Sequence, residues 1–139
     1  MKIYVILFSA LFISACSTTP VNRQTAEPVP ASRIYATNLV NPINLEHKAY
    51  VSFFRDAGMF GSGCTHDLYV NNIKAFSINS REFIELALDA GDYFFRLETG
   101  KGLCPNIATS QDAVLKDGSH QSYRILLPSD GSLRLTRIK

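Results

Sequence analysis

The chain has 139 residues, of which 46% are apolar, and its formal net charge is +2 at pH 7. A chain of this length supports one compact domain with a single hydrophobic core. The near balance of charge argues against a nucleic-acid-binding protein, which usually carries a clustered basic face. The composition is that of an ordinary globular protein, so function has to be sought in local motifs.

A short apolar run opens the chain and ends at a cysteine. Lys2 precedes the mainly apolar residues 3–13, which are too few for a membrane-spanning helix of about 20 residues but match the core of a signal peptide. The sequence Ile13-Ser14-Ala15-Cys16 resembles the lipobox of bacterial lipoproteins, an aliphatic residue and two small ones before a cysteine. The resemblance implies that residues 1–15 are a signal peptide and that Cys16 carries acyl chains such as palmitate.

The lipid is the expected means of membrane attachment, because no second long apolar run follows. Two or three acyl chains hold far more firmly than one, at about 0.8 kcal/mol per buried methylene. In Gram-negative sorting, an aspartate after the lipidated cysteine tends to retain a lipoprotein in the inner membrane. Ser17 therefore implies the outer membrane, facing the periplasm, whereas a Gram-positive source would imply the plasma membrane.

The segment that follows the predicted lipid site is rich in proline and small polar residues. Residues 17–33 contain three prolines and almost no large apolar side chain. Such a composition is typical of segments that cannot bury enough surface to fold. We therefore predict that residues 16–33 form a disordered, flexible tether, and that residues 34–139 form the folded domain.

The sequence of the predicted domain has the residue pattern of an all-β protein. Short aromatic and β-branched segments alternate with turn signals roughly every 8 to 12 residues, which is typical of an antiparallel sandwich. We predict a single antiparallel β-sandwich of about seven short strands. The predicted strands fall within residues 50–55, 67–70, 73–76, 83–88, 93–97, 121–127 and 132–138.

Three turn signals predict hairpins between these strands. They are Asn71-Asn72, the Asp89–Asp92 stretch with Gly91, and Asp130-Gly131. A helix competes for residues 80–89, because Ser80-Arg81-Glu82 resembles a capped helix start and several apolar residues have helical spacing. We favour a strand there, since a turn and a clear strand follow at hairpin distance.

Three cysteines divide into one lipid site and one pair. With Cys16 acylated, Cys64 and Cys104 are left in an exported, oxidising compartment, where we expect them to form a disulfide. Two free buried thiols are the alternative if the compartment is reducing. Cys64 and His66 fall short of the three or four ligands of a zinc site. The sequence therefore predicts no metal and no cofactor.

One part of the chain resembles a known family. An aromatic strand ending in Arg55, a Gly-Ser-Gly loop, DLYVNNIKAF and FIELALDAGDYFFRLET are similar to a small bacterial lipoprotein domain of unknown function, with the hairpin pattern of PEGA-type β-sandwich modules. The similarity covers roughly residues 49–99. It departs from the pattern at Asn72, where glycine is common, and at Ala90, where proline is common. The resemblance implies the sandwich fold and assigns no active site.

The glycine-rich stretch from Gly58 to Gly63 is the strongest candidate for a contact surface. It lacks the Gly-Lys-Ser/Thr ending and the following helix of a phosphate-binding loop. Met59 and Phe60 are apolar residues between glycines, and Ser62 follows them. We predict that these three residues form an exposed loop that contacts a partner protein, with packing into the domain as the alternative.

No arrangement of residues predicts catalysis. The chain has no Gly-x-Ser-x-Gly nucleophile elbow, and His47, His66 and His120 are each expected to be solvated surface histidines. The sequence therefore predicts a non-catalytic binding or structural module of the cell envelope, with an envelope protein of unknown identity as partner. The alternative is a lipid-anchored immunity or exclusion factor that neutralises an incoming toxin or transfer apparatus.

Overall fold

The computed structural model describes residues 18–99 and 103–139 as nine strands and two short helical turns. The predicted signal peptide, Cys16 and Ser17 lie outside these residues. Among the described residues, no helix combines the length and the apolar character required to cross a bilayer. The strands are β1 (Glu27–Pro28), β2 (Lys48–Arg55), β3 (His66–Val70), β4 (Ile73–Ile78), β5 (Glu82–Asp89), β6 (Gly91–Glu98), β7 (Ala108–Leu115), β8 (His120–Leu126) and β9 (Arg134–Arg137), and the helical turns are Ala31–Arg33 and α1 (Thr37–Val40).

The strands form two packed sheets. Sheet I has the order β1-β5-β2-β8-β9, and sheet II has the order β4-β3-β6-β7. Most neighbours are antiparallel, while β1 with β5 and β2 with β8 are parallel. This architecture confirms the predicted all-β sandwich, with nine strands in the described part of the chain rather than about seven.

The two strands that the sequence analysis did not predict, β1 and β7, carry weak local signals. β1 has only two residues, and β7 reads Ala-Thr-Ser-Gln-Asp-Ala-Val-Leu. In β7 only Ala113 and Leu115 are buried. Small and polar residues at the edge of a sheet lack the alternation of large apolar side chains from which strands are predicted. The segment therefore forms a strand because it pairs with β6 along its whole length.

Two of the predicted hairpins are confirmed. Asn71 and Asn72, with φ of 48° and 66°, join β3 to β4 in the left-handed conformation that a two-residue hairpin turn requires. The turn that contains Gly131, with φ of 75°, joins β8 to β9. Residues 82–89 form a strand rather than a helix, and Ile84, Leu86 and Leu88 point into the core as alternation predicts.

The predicted hairpin at Gly91 is wrong. Strand β5 pairs with β1 and β2 in sheet I, whereas β6 pairs with β3 and β7 in sheet II. The turn therefore carries the chain from one sheet to the other. A turn signal marks where the chain reverses, but the partner of each strand depends on contacts far away in the sequence.

Aromatic side chains from both sheets meet at the centre of the core. The ring centroid of Phe53 lies 5.5 Å from that of Phe76, 5.3 Å from Phe95 and 5.4 Å from Tyr123. These residues come from β2, β4, β6 and β8, so the cluster joins the two sheets. Such aromatic pairs stabilise a core by about 0.5–1.5 kcal/mol beyond the effect of buried area.

The structure differs from the prediction of a flexible tether over residues 18–33, which we call the strap. Thr19 pairs with Ala57 through two backbone hydrogen bonds of 2.6 and 3.0 Å. The backbone amides of Glu27 and Val29 donate to carbonyls of the β5 region at 2.8 and 3.0 Å. The strap therefore lies along sheet I and becomes part of the domain.

A few side chains are sufficient to hold the strap in place. Val21 is buried against Phe54 and Ala57, and Val29 joins the main core. Arg23 forms an ion pair with Glu85. The tether prediction was based on the average composition of the segment, whereas attachment depends on single residues with complementary sites on the sheet.

Hydrogen exchange distinguishes a strap from a tether. We expect the amides of Glu27 and Val29 to exchange slowly, because each donates to a carbonyl of the folded sheet. The exposed Ser32 is the internal reference and should exchange quickly. NMR or fragment-resolved mass spectrometry of the mature protein provides the measurement. Exchange of all three amides at the rate of an unstructured peptide would contradict the strap.

Candidate functional site

The sandwich has two ends that carry different loops and turns. We call the end that carries Thr18 and the loops 56–65, 79–81, 103–107 and 127–133 the proximal end, because it lies nearest in sequence to Cys16. The distal end carries the turns at 71–72, 90 and 116–119 and the segment 41–47. Strands of up to eight residues, at about 3.3 Å per residue, separate the two ends by roughly 25 Å.

The three residues of the predicted contact loop lie together at the proximal end. Met59 is 82% exposed and Phe60 is 45% exposed, and Ser62 is also exposed. The structure therefore presents two apolar side chains to the surroundings of the domain, next to a polar one.

A buried arginine fixes the backbone of this loop. The guanidinium of Arg55 donates to the carbonyls of Cys64, Gly61 (2.6 Å) and Ile78 (3.2 Å). Burial lowers the pKa of Arg55 to about 10, while the negative charge of Glu82 opposes the shift. Arg55 remains a cation at neutral pH and holds the loop through carbonyl oxygens that would otherwise need water.

Close packing and a disulfide hold the loop at two further points. Gly61 has φ of 65°, and a Cβ atom there would lie 2.3 Å from a methyl carbon of Leu127. Glycine adopts this backbone conformation without strain, whereas a larger residue would also displace the side chain of Leu127. Cys64 is joined to Cys104, with Cα atoms 5.7 Å apart, which links the β2–β3 loop to the β6–β7 loop. The exposed Met59 and Phe60 thus lie on a firmly supported loop.

Glu82 connects the buried arginine to the strap. Arg33 of the strap forms a two-pronged ion pair with Glu82, with one contact of 2.7 Å, and this contact raises the pKa of Arg33. The backbone amide of Asn79 donates to the same carboxylate at 2.7 Å. One buried carboxylate therefore holds the strap and the β4–β5 turn in place, and its negative charge favours the charged form of Arg55.

Asp56 anchors the start of the strap. Its carboxylate is buried, accepts the backbone amide of Val21 at 3.2 Å and lies 3.3 Å from Nε of Arg124. Burial raises the pKa of Asp56, and the Val21 amide and Arg124 oppose that shift. Sequence analysis did not identify Arg55 or Asp56 as important. The available signal was a pair of opposite charges that directly follows a run of apolar strand residues.

His66 is not the surface histidine that the sequence predicted. Its side chain is fully buried in β3, and neither ring nitrogen has a hydrogen-bond partner among residues 18–99 and 103–139. Burial, and then the positive charge of Arg55, lower the pKa of His66 from 6.5 to about 3. His66 is therefore neutral at physiological pH. Within the described ranges, no group of three or more metal-ligating side chains is present.

The other two histidines are exposed, as predicted. His47 Nδ1 lies 2.8 Å from a carboxylate oxygen of Asp117, and this hydrogen bond raises the pKa of His47. His120 stacks on Tyr50 with ring centroids 5.0 Å apart. In the part of the chain that the structure describes, no serine hydroxyl hydrogen-bonds to a histidine ring.

Two adjoining grooves mark the distal end. The larger, of about 550 Å³, lies over β6 and β7, and the smaller, of about 290 Å³, lies beside α1. Asn71 and Tyr93 line both grooves, so the two form one continuous surface. Opposite charges, Asp112 and Arg137, line the larger groove. Two exposed apolar side chains lie among the lining residues, Ile73 in the smaller groove and Val114 in the larger one.

Comparison with protein-family models found no matching family, and a search of curated proteins found no match. The similarity to PEGA-type modules therefore stays a prediction from the sequence. A shared sandwich architecture would in any case assign no function, because function depends on the site and not on the fold.

The burial of His66 predicts how the stability of the protein changes with pH. Below pH 6.5 the unfolded chain binds a proton at His66, and the folded protein does not do so until about pH 3. The free energy of unfolding should therefore decrease as the pH is lowered through this window, by on the order of 1 kcal/mol per pH unit from this group. Urea denaturation at pH 7 and pH 5 measures the difference.

Two variants provide the comparison for this measurement. In His66→Leu the free energy of unfolding should decrease less between pH 7 and pH 5, because leucine binds no proton in either the folded or the unfolded state. His120→Gln replaces an exposed histidine and should keep the decrease of the parent protein. Equal pH dependence in the parent and in His66→Leu would contradict a buried, neutral His66.

Proposed function

We propose that the protein is a lipid-anchored, non-catalytic binding module of the bacterial cell envelope. The observation that carries the proposal is the placement of Thr18 and the distal grooves at opposite ends of the sandwich. With acylated Cys16 beside the proximal end, the grooves face away from the membrane. A partner approaching from the periplasm would then meet the distal end first.

The sequence supports a lipid anchor at Cys16, and the strap determines how far the folded domain can lie from that anchor. Only Ser17 separates Cys16 from Thr18, and two residue steps of extended chain span at most about 7 Å. Since Thr19 already pairs with Ala57, an acylated Cys16 would hold the domain directly at the membrane surface. The disulfide between Cys64 and Cys104 is compatible with an exported, oxidising compartment.

The distal end has the properties of a protein-binding surface. Its grooves combine an aromatic ring, Tyr93, with charged groups of both signs and with the exposed apolar side chains of Ile73 and Val114. Interfaces are typically enriched in aromatic residues and bordered by polar ones. The strands and short turns that carry these residues form a rigid scaffold, so binding requires little ordering of the chain. An envelope protein is the partner that we propose.

The anchor is tested by metabolic labelling with a palmitate analogue. We expect the wild-type protein to incorporate the label and Cys16→Ala to lose it, because the thiol that accepts the lipid is absent. The double variant Cys64→Ser/Cys104→Ser is the matched control and should still be labelled. Label in Cys16→Ala, or no label in the wild type, would contradict a lipidated Cys16.

The binding surface is tested by photo-crosslinking in intact cells. A photoreactive amino acid at Ile73, on the distal end, should give a discrete crosslinked product. The same amino acid at Ser110, exposed near the proximal end of the edge strand β7, should not give that product. Equal crosslinking from both positions, or none from either, would count against the distal end as the binding surface.

A further inference from the structure

The exposed apolar loop at the proximal end lies directly beside the start of the strap. Phe60, Gly58 and Thr18 line the same small cavity. Met59, Ser62 and Thr19 line an adjoining cleft of about 440 Å³. The loop and the residues closest to Cys16 therefore form one surface.

Covalent geometry brings the predicted lipid site to this surface. The Cα atom of Cys16 lies within about 7 Å of that of Thr18, because two residue steps of chain reach no farther. If Cys16 is acylated, as the proposed function states, the bilayer interface is next to Thr18 and next to the loop. Met59 and Phe60 are then exposed apolar side chains beside the lipid.

We propose that Met59 and Phe60 insert into the interfacial region of the membrane beside the lipidated cysteine. This inference rests on the proposed function and adds a second membrane contact to the lipid. Two contacts define an orientation, whereas a single acylated residue would leave the domain free to tilt. The partner of the loop is thus a lipid surface, in place of the partner protein that the sequence predicts.

The construction of the loop supports insertion. Arg55, the contact of Gly61 with Leu127 and the disulfide hold its backbone in one conformation, so little entropy is lost when the side chains enter the interface. Apolar side chains of surface-binding proteins enter the boundary between headgroups and acyl chains in this way.

Two neighbouring residues fit the same environment. Arg81, exposed in the turn between β4 and β5, lines the cleft that contains Met59, and a cation there favours anionic headgroups. Leu103 is fully exposed and adjoins Cys104, which the disulfide brings to the same end. The proximal end therefore combines apolar side chains with a positive charge.

The experiment uses tryptophan fluorescence, since the natural chain contains no tryptophan. The full-length acylated protein is reconstituted into vesicles of phosphatidylethanolamine and phosphatidylglycerol, with and without brominated lipids. Phe60→Trp, and separately Met59→Trp, place the probe on the loop. Ile73→Trp is the matched control, because Ile73 is also an exposed apolar residue but lies at the distal end.

We expect the emission of the two loop probes to shift to shorter wavelength and to lose intensity with brominated lipids. The emission of Ile73→Trp should not change. Vesicle flotation, measured in the same samples, reports the lipid anchor itself. A protein that does not float contradicts the proposed anchoring, whereas a protein that floats with both loop probes unquenched overturns the insertion of the loop and makes it available to a protein partner.

Discussion

The buried guanidinium of Arg55 is the interaction on which the proximal end depends. Removing a cation from water is costly unless its donors are satisfied. Arg55 uses the carbonyls of Gly61, Cys64 and Ile78, and the nearby charge of Glu82 favours its charged form. The β2–β3 loop, the β4–β5 turn and, through Glu82, the strap are therefore coupled to one side chain. Rigidity at this end follows from electrostatics as much as from apolar packing.

The central features of the fold were predictable because their signals are local. Asn71-Asn72 adopts the positive φ values that mark a hairpin turn, and alternation correctly places Ile84, Leu86 and Leu88 in the core. Setting aside Cys16, the predicted lipid site, left one possible pair of cysteines, which the structure joins as a disulfide.

Other features depend on contacts between distant residues, which a single sequence does not display. Strand β7 forms because it pairs with β6, which is distant in sequence at most of the paired positions. The turn at Gly91 resembles a hairpin turn, but it joins two different sheets. His66 is buried although its sequence neighbours are polar. The strap has too few apolar residues to predict a fold, yet Val21 and Arg33 each meet a matching site on the sandwich. The candidate loop was predicted from its glycines, but the arginine that supports it was not.

The attachment of the strap also limits where the protein can act. A flexible tether would let a lipid-anchored domain search a volume of periplasm, whereas the anchor that we propose, together with the attachment of the strap at Thr19, would keep the domain close to the membrane. With Met59 and Phe60 inserted as proposed, the distal grooves would lie about one sandwich length, or roughly 25 Å, above the lipid surface. The partner that we propose would then have to present its binding site within that layer, and the strap would act as a fixed spacer that selects partners by their distance from the bilayer.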